Sequence, residues 1–128
     1  AVNVAYVALV SLADLKQLLP PPLPPIGDGD GLARGAMVLL AVIASPLAEE
    51  GFFRGFVFGG LRRRFGLGWG IGASSLLFAL AHFQVGVVIP VLILGTMLAG
   101  LYQATGSLWP AIIVHGLYNG LALQFAYG

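Results

Sequence analysis

No cysteine occurs in the 128 residues. Disulfides, thiol nucleophiles and Cys-ligated zinc are therefore excluded. Charge is almost as scarce. Six Lys or Arg and five Asp or Glu make up 9% of the chain, whereas soluble domains carry about a quarter. The net charge of +1 argues against nucleic acid or any strongly acidic partner. His-Glu-x-x-His is missing, so this is not a zincin. There is no basic segment with a following cleavage site, and so no signal peptide. No internal period suggests a repeat array. The first residue is Ala1, already inside an apolar run, so the chain reads as the trimmed core of something longer.

What is abundant is apolar surface. The chain is 59% hydrophobic, with mean hydropathy +0.95. That composition predicts an all-α, polytopic transmembrane helix bundle of about five membrane helices, with lipids as its first partners. Residues 1–30 read as a partial N-terminal membrane helix (1–19) and a Pro/Gly-rich loop, because the five prolines of Pro20–Pro25 break any helix. Residues 31–128 read as a core of four membrane helices. The second helix is expected over Leu32–Leu61, kinked at Pro46. The third is expected over Gly68–Phe83, the fourth over Val87–Ala104 and the fifth over Leu108–Ala126, with Ser107 as N-cap and Pro110 in the first turn. Arg62-Arg63-Arg64 marks a cytoplasmic loop, and Trp69 and Trp109 fall at the same membrane face. Gly55/Gly59, Gly68/Gly72 and Gly95/Ala99 have the four-residue spacing that lets membrane helices approach closely.

Against this background Glu49, Glu50 and Arg54 stand out. One charge at the centre of a membrane helix costs about 2.5–3.5 kcal/mol. Three uncompensated charges would cost about 8–10 kcal/mol, so an intramembrane cluster reads first as a functional site. Glu50 and Arg54 are i,i+4 and can neutralise each other. Glu49 points about 100° away around the helix. His82 on the third helix and the i,i+4 pair His115 and Asn119 on the fifth add further polar groups. With about 1.5 Å of rise per residue, Glu49, His82 and His115 lie about 18, 21 and 10 Å from the arginine face. All three can therefore meet within an intramembrane cavity.

Such a set supports two chemistries. In one, Glu49 is a general base that shares a water with His82, while His115 and Asn119 donate to a developing oxyanion. In the other, Glu49, His82 and His115 are three ligands of a zinc or similar divalent ion with an open water position. Buried carboxylates and histidines also build proton relays, which keeps a carrier in view, although the short chain without an inverted repeat speaks against it.

Glu49-Glu50-Gly51-Phe52-Phe53-Arg54, Phe78-Ala79-Leu80-Ala81-His82 and His115-Gly116-Leu117-Tyr118-Asn119 resemble, in order, the E-E-x-x-x-R, F-x-x-x-H and H-x-x-x-N motifs of the CPBP intramembrane protease family, which includes the CAAX proteases and the Abi proteins. The lead-in Thr105–Pro110 is also similar, and the resemblance covers roughly residues 35–127. It implies an intramembrane endopeptidase of a multi-pass prokaryotic membrane protein, acting on peptide or prenylated-protein substrates. Glu49 and His82 would activate water, His115 and Asn119 would stabilise the oxyanion, and Glu50 and Arg54 would support the site. The family is named as metalloproteases, yet a glutamate alone can serve. Some members act in bacteriocin immunity or as scaffolds, which is the non-catalytic alternative. A rhomboid-like Ser–His pair from Ser74 or Ser75 with His115 is a further alternative, although that motif's final glycine is absent. Gly27-Asp28-Gly29-Asp30 reads as a solvated turn, not as an aspartyl-protease or calcium site.

Overall fold

A computed structural model of the chain describes residues 2–15, 18–19 and 31–127. The expected loop at 20–30 lies outside the described residues, as does Lys16. Among the described residues every regular element is helical.

Helix α1, Val2–Leu12, is shorter than the membrane helix expected over 1–19. At about 16 Å it reaches half of a 30 Å hydrocarbon layer. The reason is a helix stop at Asp14, which takes a left-handed conformation (φ 54) that aspartate tolerates. The Leu15 N–H donates to Val10 O at 3.0 Å and the Asp14 N–H to Ser11 O at 3.2 Å, closing the helix end in a Schellman arrangement. Leu18 folds back so that its carbonyl accepts the Tyr6 hydroxyl at 2.8 Å.

Helix α2 is continuous over Gly31–Phe65, a few residues longer than expected at its C-terminal end. Its interior is not uniform α-helix. A π-helical segment covers Leu40–Ala44, α-helix returns over Ser45–Glu50, and a second π segment covers Gly51–Phe58. The expected disturbance at Pro46 therefore takes the form of a wider register beside the proline. Arg62, Arg63 and Arg64 occupy the last turn, where cations meet the negative end of the helix dipole.

Gly66 (φ 89) turns the chain into α3, Leu67–Leu80. This helix stops three residues short of the expected Phe83, so His82 sits in the following turn and not on the helix. A 3₁₀ turn at Val85–Val87 leads into α4, Val88–Thr105. Gly106 (φ 64) then reverses the chain into α5, Leu108–Tyr127. Ser107 caps α5 as expected, its hydroxyl accepting the Trp109 N–H at 3.4 Å.

Two helices, Gly31–Phe65 and the Val85–Thr105 stretch, are long and apolar enough to cross a membrane. At about 21 Å, α3 is short of a full span. Helix α3 packs on α4 and on the end of α2, and α4 packs on α5. The first π segment and the Ser45–Glu50 turn of α2 lie against α5, and the second π segment lies against α3. The distribution of side chains is inverted relative to a soluble core. Phe52, Phe56, Leu77, Ile93, Met97, Ile113 and Phe125 are exposed, while Glu50, Arg54 and His115 are buried. In lipid the exposed apolar belt is in its preferred solvent, and the polar groups must satisfy one another inside.

Candidate active site

The interior charges form one connected cluster. Arg54 Nη1 donates to Glu50 Oε1 at 2.9 Å, with side-chain exposures of 1% and 0%. Arg54 Nη2 donates to the Gly95 carbonyl of α4 at 2.9 Å, and the guanidinium lies 4.4 Å from the centroid of Phe78. His115 Nδ1 lies 2.8 Å from Glu50 Oε1. An ionised carboxylate only accepts, so His115 Nδ1 carries a proton. The other ring nitrogen, Nε2, faces Glu49 Oε2 at 3.8 Å. One imidazole thus lies between both carboxylates of the acidic pair, hydrogen-bonded to Glu50 and in proximity to Glu49.

The two glutamates differ sharply. Glu50 is sealed, and its Oε1 accepts both Arg54 and His115. Glu49 is 28% exposed. Its Oε1 accepts the Ser45 hydroxyl one turn earlier, and its Oε2, like Glu50 Oε2, is buried without a hydrogen-bond partner. Ser45 was not anticipated, although its i,i+4 spacing from Glu49 is readable in the sequence.

His82 Nδ1 donates to the Phe78 carbonyl at 2.9 Å. A carbonyl cannot donate, so a neutral His82 leaves a lone pair on Nε2. That carbonyl is available because α3 ends there and its last carbonyls have no helical partner. The Phe78 ring is the hub of the cluster. It meets His82 at 5.0 Å, His115 at 5.5 Å and Phe53 at 5.2 Å between centroids, all near-perpendicular. Its place in the second motif was legible, but its position beneath Arg54 was not.

His82, His115 and Asn119 line one cavity of about 220 Å³, together with Tyr118, Gln84 and apolar groups of α4. Glu49 is not among its lining residues but touches the cluster through His115. Asn119 Nδ2 donates to the Ala41 carbonyl of α2 at 2.8 Å, which fixes the amide and leaves its second N–H for another acceptor. His115 does not match the expected oxyanion donor in its neutral form, because its one proton is committed to Glu50. It donates from Nε2 only as an imidazolium.

Among the described residues no three His, Asp or Glu side chains come together in a way that would hold a metal ion. The proposed ligand set of Glu49, His82 and His115 therefore does not fit a three-ligand site as the side chains stand. The serine alternative fails too. The Ser74 hydroxyl donates to the Gly70 carbonyl, and the buried Ser75 hydroxyl has no hydrogen-bond partner.

A family model described as Type II CAAX prenyl endopeptidase Rce1-like matches residues 32–121. The Putative membrane peptidase YdiL of Bacillus subtilis (strain 168) is 28% identical over 83 residues, 65% of this chain and 34% of the Bacillus protein. The chain therefore spans about a third of the length of that curated relative. No solved structure matches the chain.

Proposed function

This chain belongs to the Rce1-like family of type II CAAX prenyl endopeptidases, and from that premise we propose that it is a membrane peptidase in which Glu49 is the general base. The observation that carries the assignment is the asymmetry of the acidic pair. Glu50 is fully buried, with its Oε1 held by Arg54 and His115, whereas the Glu49 side chain is 28% exposed; each keeps a buried Oε2 without a hydrogen-bond partner.

In this reading Glu49 Oε2 takes a proton from water as the water oxygen attacks the substrate carbonyl carbon. His82 Nε2 accepts a hydrogen bond that holds the water. The free N–H of Asn119 meets the carbonyl oxygen as it becomes an oxyanion, and His115 Nε2 joins it when protonated. Glu49 then returns the proton to the leaving amine as the carbon–nitrogen bond breaks. Glu50 and Arg54 act as positioning residues that hold the His115 ring. Peptide or prenylated-protein substrates follow from the family description.

The test is cleavage of membrane-associated peptides by the reconstituted protein, with and without a chelator, alongside metal analysis. Glu49→Gln should lower the rate by at least about 10²-fold while the helical content is kept, and a chelator should change nothing. Full activity in Glu49→Gln would refute the assignment. Stoichiometric zinc with chelator-sensitive cleavage would replace it with metal-bound water.

A further inference from the structure

Helix α2 turns two backbone carbonyls, Ala41 O and Val42 O, toward α5, and Pro46 is the residue that frees the first of them. In a regular α-helix the Ser45 N–H would take Ala41 O, and residue 46 would take Val42 O. Here the Ser45 N–H donates instead to Leu40 O, five residues back. The next donor in that wider register would be residue 46, reaching Ala41 O. Proline has no N–H, and its ring pushes against the carbonyl four residues earlier, Val42. Ala41 O therefore has no helical donor in either register, and Val42 O loses the one that a regular α-helix would give it.

Both are met by α5. Ala41 O accepts Asn119 Nδ2 at 2.8 Å. Val42 O lies so close to Gly116 that a Cβ there would run into the oxygen. Gly116 and Asn119 are two positions of the same H-x-x-x-N segment. His115 beside them is held by Glu50, four residues after Pro46 on α2. The polar end of α5 is thus registered on α2 by these two carbonyls, and Ala41 O is an acceptor that only a proline-disturbed helix presents.

We propose that Pro46 is a positioning residue for Asn119: by withholding its own N–H it leaves the Ala41 carbonyl to the Asn119 amide, which orients that amide in the cavity. The role of Asn119 in catalysis rests on the function proposed above, but the hydrogen bond does not.

The chain has two asparagines, Asn3 and Asn119, so ¹⁵N-asparagine labelling gives two side-chain NH₂ signal pairs. Asn119→Asp identifies the one that belongs to position 119. In the unmodified chain this pair should be shifted as a hydrogen-bonded amide and protected from solvent exchange. In Pro46→Ala it should move to the free-amide position, with protection reduced about fivefold or more, while the unfolding temperature stays equal or rises because a helix breaker is gone. Cleavage should fall about tenfold or more in kcat with KM little changed. Adding Pro46→Ala to Asn119→Ala should cost nothing further. An unchanged Asn119 signal in Pro46→Ala, or multiplying losses in the double variant, would overturn the proposal. If the unmodified chain cleaves no peptide, the function proposed above fails, and the amide signal alone still decides whether Pro46 orients Asn119.

Discussion

The seam between α3 and α4 and the seam between α2 and α5 solve the same problem in opposite ways. The α3–α4 seam joins two regular helices through small and apolar side chains. Gly95 lies against Phe78 and Ser75, and Phe78, Ala79 and Val91 form a continuous apolar cluster. The α2–α5 seam is polar and irregular. It is made by the Ala41 and Val42 carbonyls, Asn119, Gly116, and the Glu50–His115 bond. A regular helix uses its carbonyls internally and offers a neighbour only side chains. A helix interrupted by proline offers backbone acceptors as well, and those fix a partner at one register. In this molecule the seam that gathers Glu49, Glu50, His115 and Asn119 is the one with the interrupted helix.

Substitutions can separate the two kinds of seam. The largest stability effect is expected where charge is sealed in. Arg54→Leu should leave Glu50 buried without its cation and cost about 3–5 kcal/mol, measured by reversible unfolding in detergent micelles. Gly116→Ala should follow at about 2–3 kcal/mol, because the obstacle is a backbone oxygen that cannot swing aside. Gly95→Ala meets the edge of the Phe78 ring at 3.0 Å and should cost about 1 kcal/mol, since a side chain yields more readily. Gly72→Ala faces open space and should leave stability unchanged or raise it by up to about 1 kcal/mol through helix propensity. Equal costs at Gly116 and Gly95 would mean that the two seams do not differ in the way described.

The same contrast separates the two carboxylates. Glu50→Gln should act mainly on stability, because Oε1 anchors Arg54 and His115. Glu49→Gln should act mainly on rate. If the two variants showed the same ratio of stability loss to rate loss, the division of labour between them would be wrong.

Much of this organisation is written in the residues themselves. Hydrophobic runs, the Gly66 and Gly106 breaks and the Ser107 cap set the order of the helices, because capping and apolar length act over a few neighbouring residues. Scarce charges within those runs marked Glu49, Glu50, Arg54, His82, His115 and Asn119, because each is costly in lipid unless it has a partner. Close approach at Gly95 was legible from its four-residue spacing with Ala99, whereas at Gly68 and Gly72 the same spacing faces open space and the contact falls on Gly70 instead. Only the tertiary structure decided which partner each polar group takes. Spacing along one helix pairs Glu50 with Arg54, but it cannot show that His115 bonds to Glu50 and lies beside Glu49 or that Gly95 lends Arg54 its carbonyl. It places His82 on α3, yet the helix ends early and leaves the imidazole on the Phe78 carbonyl. Those choices depend on where separate helices come together in space, and on backbone acceptors that carry no sequence signature beyond a proline one turn ahead.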